Sequence, residues 1–204
     1  MAIDPSAPYA AGIRRALPHA RIVLDHFHLV TLANQALTDV RQRVAHEQND
    51  RRGRKQDPAW AHCRLLLRAG DTLNPKALAR LRTVLATDDP SGQLSAAWAV
   101  KERLRLLLQA HGPTRYSRHE TAHRLTRFLT ACAVADMPET TRLASTIERW
   151  WPEIEAFLEL GVTNARTEGH KRVIKQIKRV ACGFRNQANY ERRIMLHSAA
   201  RRAA

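Results

Sequence analysis

The chain has 204 residues, of which 44% are hydrophobic and 26% charged, as expected for one folded domain or for a small core that carries an insertion. Its formal net charge of +15 indicates a polyanionic partner such as nucleic acid. No apolar run approaches the roughly 20 residues of a membrane-spanning helix, and no secretory signal pattern is present. The three cysteines are widely spaced, which predicts free thiols in a reducing cytoplasm rather than a zinc site or disulfides.

The first thirty residues predict a strand, a helix and a second strand. Residues 1–3 form a short apolar run that ends at Asp4, and a helical pattern follows over 9–17. Residues 21–28 begin with β-branched apolar residues and end in polar ones, which is typical of a buried strand. A helix between two short strands predicts a parallel crossover, and this would bring Asp4 and Asp25 to the same edge of the sheet.

The middle of the chain is predicted to be helical. An apolar stripe at helical spacing begins at Leu29 and ends before a polar, basic loop. A helical block of roughly 130 residues is too long for an ordinary loop, so we expect an insertion into an α/β core. After the loop over 49–55, further helices are predicted over 60–67, 75–85, 94–108, 118–133 and 139–160.

The carboxyl-terminal segment is the most basic part of the chain. A turn at Gly161 leads into a basic helix, and a turn over 182–186 precedes a last helix. Between residues 166 and 202, eleven Lys and Arg residues oppose only Glu168 and Glu191, which gives a net charge of +9. This excess favours contact with a polyanion over a merely solvated face. The predicted contact residues are Arg166, Lys171, Arg172, Lys175, Lys178, Arg179 and Arg185.

Three acids, Asp4, Asp25 and Glu168, fall at the ends of predicted elements. Clustered carboxylates beside a basic surface suit two-metal phosphoryl transfer, because Mg²⁺ is held by carboxylates and substrate phosphate. Each acid also has a structural alternative. Asp4 can cap a turn, Glu168 can meet the dipole of its helix, and Asp25 can hydrogen-bond to His28 and lock the strand end. Spacing alone favours these structural roles.

Motifs near both ends of the chain resemble those of the ISL-three family of bacterial insertion-sequence DDE transposases. The resemblance spans nearly the whole chain and is most specific at the two ends, less so in the helical middle. The segments that carry it are DPSAPY (4–9), LPHA (17–20), VLDHFH (23–28), GVTNARTEG (161–169), IKQIKR (174–179) and GFRN (183–186).

The resemblance implies an RNase H-like core in which two Asp and one Glu bind Mg²⁺ or Mn²⁺. An enzyme of this kind cleaves DNA at the ends of the element and joins it to a target. Glu168 matches the final Glu, and Asp4 best matches the second Asp, so these two are the implied metal ligands. Asp25 and His28 match an Asp-x-x-His pair that supports the site. Which of Asp4 and Asp25 is the second ligand stays open.

The expected fold is an α/β fragment of an RNase H-like core that is mostly α-helical overall. Residues 1–30 would be the partial core, 31–160 the helical insertion, and 161–204 the catalytic-Glu helix with the basic helices. The first Asp of such a core has no counterpart in this sequence. We therefore expect the carboxyl-terminal part of a transposase, without strand-transfer activity of its own, and whether the chain is an enzyme stays open.

The implied partner is double-stranded DNA, both the ends of the element and the target, and the protein would be cytoplasmic, associated with the bacterial nucleoid when bound to DNA. A homo-oligomer is compatible with this assignment, and no membrane role is expected. One alternative is a non-catalytic basic DNA-binding module that interferes with intact transposase. Another, an RNA-binding helical protein, depends on charge alone.

Overall fold

The computed structural model describes residues 1–203, apart from the side chains of Arg166 and of residues 201–203. The chain divides into two compact units, Met1–Val162 and Thr163–Ala204. The first contains a small sheet and most of the helices, and the second is a helical hairpin. The protein is therefore mostly helical, with a minor α/β part at its beginning.

The sheet consists of two strands in the described part of the chain. β1 (Ala2–Ile3) and β2 (Val23–Leu24) pair in parallel, with Ile3 opposite Leu24, and α1 (Ala7–Ala16) connects them. The predicted parallel crossover is thus present. The sheet is too small to display an RNase H-like core, which stays a prediction.

The second strand is shorter than the sequence predicted. Strand structure stops at Leu24 because Asp25 is the N-cap of α2 (His26–Asn49), and its side chain accepts a 3.5 Å hydrogen bond from the Phe27 N–H. The prediction of a strand over 25–28 was wrong, since an Asp side chain that satisfies a free N–H group starts a helix. His28 therefore lies in the first turn of α2.

The remaining helices of the first unit follow the predicted order. The segment predicted as one helix over 139–160 is two, because Pro152 lies in a first turn, where its missing N–H costs no hydrogen bond. None of the helices that the structure describes is long and apolar enough to cross a membrane. The bounds are α3 (Pro58–Ala61), α4 (Cys63–Leu67), a 3₁₀ turn (Gly70–Thr72), α5 (Pro75–Thr87), α6 (Gln93–Gln109), α7 (Arg118–Ala135), α8 (Pro138–Arg149) and α9 (Trp151–Leu160).

Two apolar clusters hold the first unit together. One includes Leu24 of β2, Leu29 of α2 and Phe157 of α9, all fully buried. The other includes Leu37 of α2 and Leu81 of α5. Helix α2 contributes residues to both clusters, so its position is fixed along most of its length.

Arg43 on α2 ties three helices together. Its Nε and Nη2 atoms donate to the two carboxylate oxygens of Glu139 on α8, at 2.8 and 3.2 Å, and Nη1 donates to Gln93 on α6 at 2.8 Å. The hydrogen bond that Arg43 donates to Glu139 raises the pKa of Arg43 and lowers the pKa of Glu139. A two-pronged contact of this kind fixes the angle between helices as well as their distance.

The second unit is a hairpin of α10 (Ala165–Val180) and α11 (Gln187–Ala203). The connecting turn contains Cys182 and Gly183, both with positive φ. The Phe184 and Tyr190 rings lie 4.9 Å apart, and the Tyr190 hydroxyl donates to the carbonyl oxygen of Ile174 at 3.4 Å. These contacts hold the two helices of the hairpin side by side.

Candidate functional site

The parallel strands bring two carboxylates together at their carboxyl ends. Asp4 and Asp25 each follow the last residue of a strand, and the Asp25 N–H donates to the Ile3 carbonyl oxygen at 2.9 Å. Together with His28 they form a group in which one ligand atom from each residue lies within 4.8 Å of the others. The shared edge expected from the sequence is therefore present.

His28 lies between the two carboxylates. Its Nδ1 atom is 3.3 Å from Asp4 Oδ1 and 3.3 Å from Asp25 Oδ2. The position follows from the N-cap, because a residue three places after Asp25 projects from the first turn of α2 next to the cap. In the tautomer with a proton on Nδ1, His28 donates a hydrogen bond towards the Asp4 and Asp25 carboxylates and limits the movement of both side chains.

The three side chains of the cluster differ in exposure: one is buried, and the other two reach the protein surface. Asp25 is only 2% exposed, whereas the Asp4 and His28 side chains are about half exposed. Asp25 is also engaged by the Phe27 N–H and by His28. Asp4 is consequently the carboxylate best placed to meet a ligand that arrives from solvent.

A ring stack lies next to the buried carboxylate. The His26 ring stacks on Phe157 with centroids 4.9 Å apart, and His111 stacks on both rings. Burial lowers the pKa of His26, which favours the neutral imidazole in this stack beside Asp25. No sequence pattern indicates this stack, because its members come from α2, α9 and the second residue after α6.

The donor set fits a hard divalent cation. Two carboxylates supply the oxygen ligands that Mg²⁺ and Mn²⁺ prefer. A histidine nitrogen is a less usual partner for Mg²⁺, and the distances of His28 to both carboxylates suit a residue that orients the ligands. Asp4 and Asp25 are therefore the oxygen donors of a candidate metal centre.

Glu168 lies in the second unit, in the first turn of α10. Its N–H donates to the Asn164 carbonyl oxygen at 3.0 Å, and its carboxylate accepts a 2.7 Å hydrogen bond from Lys171. Both side chains are about half exposed. Glu168 is therefore a solvent-accessible acid that is already paired with a cation of its own helix.

Helix α10 has two chemically different faces. Lys171, Lys175 and Lys178 recur at intervals of three and four residues, which places them on one side of the helix. Val173 and Ile177 lie on the other side. The side chain of Arg166 lies outside the described residues. The remaining predicted DNA contacts are all exposed: Lys171, Arg172, Lys175, Lys178, Arg179 and Arg185.

The family comparison covers both the carboxylate cluster and the basic helix. The model of the ISL3-type DDE transposases, described as "Transposase", matches residues 1–194. The chain belongs to the ISL3 (ISL-three) family of DDE transposases. No curated protein and no solved structure matches it.

Membership in the ISL3 transposases confirms the family that the end motifs indicated. DNA transposition is the function of this family, DNA is its partner, and DDE transposases generally use divalent metals. For the ISL3 transposase described here, the structure brings Asp4, Asp25 and His28 together in the first unit and places Glu168 on the basic helix of the second. The roles of these individual residues remain predictions.

Proposed function

We propose that this ISL3 transposase binds the DNA ends of an insertion element and takes part in their metal-dependent cleavage and joining, with Asp4 and Glu168 as metal ligands. Asp25 and His28 support this centre. The observation that carries the proposal is the cluster of Asp4, Asp25 and His28 at the carboxyl ends of two parallel strands. Active sites of open α/β sheets occupy this position.

Each side chain of the cluster has a distinct role in the proposal. Asp4, the exposed carboxylate of the cluster, offers an oxygen to the metal ion. Asp25 is the buried carboxylate of the cluster, and His28 keeps the two carboxylates oriented. A bound Mg²⁺ or Mn²⁺ would stabilise negative charge on the phosphate oxygens of the scissile bond. The exposure of Asp4 supports it over Asp25 as the second acid of the family.

Glu168 would correspond to the final acid of the family. To serve as a metal ligand it must exchange its hydrogen bond with the Lys171 ammonium group for a bond to the metal ion. The cationic face of α10 would hold the sugar–phosphate backbone. Contacts of this type position a duplex and carry no sequence information.

A second candidate function is a non-catalytic DNA-binding module. The ion pair between Glu168 and Lys171 favours it, because that pair gives the acid a structural role on a basic helix. In this case, substitution of Asp4 or Glu168 would leave every activity of the protein unchanged. The two candidates therefore differ in whether the acids bind metal.

The first prediction concerns binding of Mn²⁺ by the full chain. We expect Asp4→Asn to weaken binding at least about tenfold, because a neutral amide replaces a charged oxygen ligand. The loss of the free-ion signal in electron paramagnetic resonance measures this. Asp136→Asn is the matched control, since it removes an exposed acid outside the cluster at a positive-φ position that Asn tolerates.

The same titration separates the two candidates when DNA is present. The metal-centre proposal expects Glu168→Gln to weaken Mn²⁺ binding in the presence of DNA, and to abolish any nicking of supercoiled DNA that depends on Mn²⁺. If Asp4→Asn and Glu168→Gln bind Mn²⁺ like the unmodified chain, the proposed centre is wrong. The DNA-binding module would then be the better assignment.

A further inference from the structure

The segment that follows α2 holds most of the positive charge of the first unit. Residues 51–68 contain six Lys and Arg residues and one acid, a net charge of +5, whereas residues 1–162 as a whole carry +6. The charge is densest over 51–55, RRGRK, which connects α2 to α3 and is called the basic loop below. Neither the candidate metal centre nor the basic helix α10 accounts for this loop.

An ion pair fixes the shape of the basic loop. Arg51 donates from Nη1 and Nη2 to the two carboxylate oxygens of Asp57, at 2.6 and 3.0 Å. The Arg54 N–H donates to Asp57 Oδ2 at 2.5 Å, and the Asp57 N–H donates back to the Arg54 carbonyl oxygen at 2.9 Å. These bonds, the one from Arg51 first, lower the pKa of Asp57 to about 2, so its carboxylate is charged at pH 7. The loop is thus formed before any ligand arrives.

The middle of the basic loop packs against α3. A side chain at Gly53 would place its Cβ atom 3.0 Å from the Cβ and Cδ1 atoms of Trp60, closer than packed atoms approach. The backbone comes this near to the Trp60 side chain because glycine has no Cβ. The loop therefore has a fixed place beside α3 as well as a fixed shape.

The ion pair leaves the other cations of the basic loop available. Arg52, Arg54 and Lys55 are exposed. In the part of the chain that the structure describes, the only ion pair of the loop is the one between Arg51 and Asp57. The charge of Arg54 contributes to the lowered pKa of Asp57, so Arg52 and Lys55 are the cations that no described acid neutralises. A preformed loop with such cations fits a row of phosphates.

Helix α2 sets the distance between the basic loop and the carboxylate cluster. Asp25 is its N-cap, and the loop begins after its C-cap, Asp50. The helix has 24 residues and is therefore about 36 Å long. One helical turn of B-form DNA has a length of about 34–36 Å. A duplex whose end lies at the cluster would need about 11 base pairs to reach the loop, at about 3.4 Å per base pair.

We propose that the basic loop binds the backbone of the DNA duplex whose end lies at the Asp4–Asp25 cluster, about one helical turn from that end. The proposal rests on the DNA function proposed above. Arg52 and Lys55 each contact a phosphate, and Asp57 is a positioning residue that keeps the loop formed. Contacts of this type fix the orientation of a duplex and are independent of its sequence.

The experiment uses the full chain and duplexes of arbitrary sequence. Fluorescence anisotropy measures binding in the presence of Mg²⁺ to duplexes of about 8 to 24 base pairs, which are shorter and longer than the span of α2. The test variant is Arg52→Gln/Lys55→Gln. The control, Lys76→Gln/Arg80→Gln, makes the same change of charge at two exposed positions of α5. All four side chains are exposed, so both variants spare the fold.

The dependence of affinity on duplex length separates the variants. For the unmodified chain and the control we expect affinity to rise at least about tenfold once one duplex reaches both contacts, because the second contact is then intramolecular. The test variant should lose this rise. Its salt slope on the longest duplex should fall by about 2, since two phosphate contacts are removed.

A variant of the ion pair separates a formed loop from charge alone. Asp57→Ala raises the net charge by one, so simple attraction predicts tighter binding to DNA. The proposal expects weaker binding to the longest duplex, because Arg51 and the Arg54 N–H lose their partner. Tighter binding by Asp57→Ala would overturn the role of the formed loop.

The other outcomes are equally distinct. An unchanged length dependence in Arg52→Gln/Lys55→Gln, or the same loss in the control, would overturn the proposal. Stronger binding of an RNA duplex that only the test variant weakens would assign the loop to RNA. If the test variant binds normally while Lys175→Ala weakens binding, the loop proposal fails and the DNA function stands. A chain that binds no duplex at all overturns both.

Discussion

His28 is the residue on which the geometry of the candidate centre depends most directly. Its Nδ1 atom is equally far, 3.3 Å, from the Asp4 carboxylate, which follows β1, and from the carboxylate of the α2 N-cap. Two acids that are held close repel each other unless a donor or a cation lies between them. His28 supplies such a donor and so holds the pair at a spacing from which one metal ion can contact both.

The Arg43–Glu139 pair leads to a prediction about stability and pH. Glu139 is 8% exposed, and its removal leaves the Arg43 guanidinium without its two-pronged partner. We expect Glu139→Gln to lower the free energy of unfolding by about 1–3 kcal/mol at pH 7. Urea denaturation measures the difference. Glu47→Gln, which removes an exposed partner of Arg43, should cost no more than about 0.5 kcal/mol.

The sign of the pH dependence follows from the lowered pKa of Glu139. A carboxyl group whose pKa is lower in the folded protein stabilises the fold above its unfolded value of 4.5. That contribution disappears as the pH falls through the folded value. The difference between the unmodified chain and Glu139→Gln should therefore shrink below pH 4.5. A difference that stays constant down to pH 3 would contradict the assigned cause.

At the scale of single elements, α10 carries an acid, a row of lysines and a row of apolar residues. Glu168 lies in its first turn, the lysines lie along one side, and Ile177 and Val180 lie along the other. The 3.6-residue period separates these sets without any bend or break in the helix. One regular helix can thus present a basic surface, with an acid paired to it, on one side and an apolar surface on the other.

The basic face of α10 should bind DNA through phosphate contacts. We expect Lys175→Ala and Lys178→Ala each to weaken binding about equally on all sequences and to reduce the salt slope by about 1. Fluorescence anisotropy over a series of salt concentrations measures this. Lys76→Ala, an equal charge change on α5, is the control. A DNA affinity that is insensitive to salt would refute the electrostatic account.

The sequence predicted the crossover, the basic helix and most helix positions, because hydrophobic periodicity and strand length are local properties. It failed at Asp25, where an apolar run followed by polar residues is compatible with a continuing strand as well as with a helix cap. It also gave no indication of the stack of His26 and His111 on Phe157, since these residues are far apart in sequence and meet only through packing.

At the scale of the whole molecule, the two units are stabilised differently. The first unit is built on two apolar clusters that share α2. The second is a two-helix hairpin in which no described side chain from 163 to 200 is buried. Most of the free energy that maintains the fold therefore belongs to the first unit, since buried apolar surface is the main stabilising contribution.

This difference predicts the pattern of amide hydrogen exchange. Local opening is easiest where few apolar contacts are lost, so amides of α10 and α11 should exchange at least about ten times faster than those of α2 and α6. Exchange followed by mass spectrometry on the full chain measures both regions in one experiment. Equal protection of the hairpin and of α2 would show that the hairpin is stabilised in a way that its described contacts do not reveal.

The short sequence distance between the two carboxylates also bears on the order of assembly. Asp4 and Asp25 are joined by a single crossover, so both are synthesised long before α9. Phe157, which packs against His26 next to Asp25, comes from α9, near the end of the first unit. The stack of His26 on Phe157 can therefore form only after α9 has been synthesised, so we expect the packing beside Asp25 to be completed late.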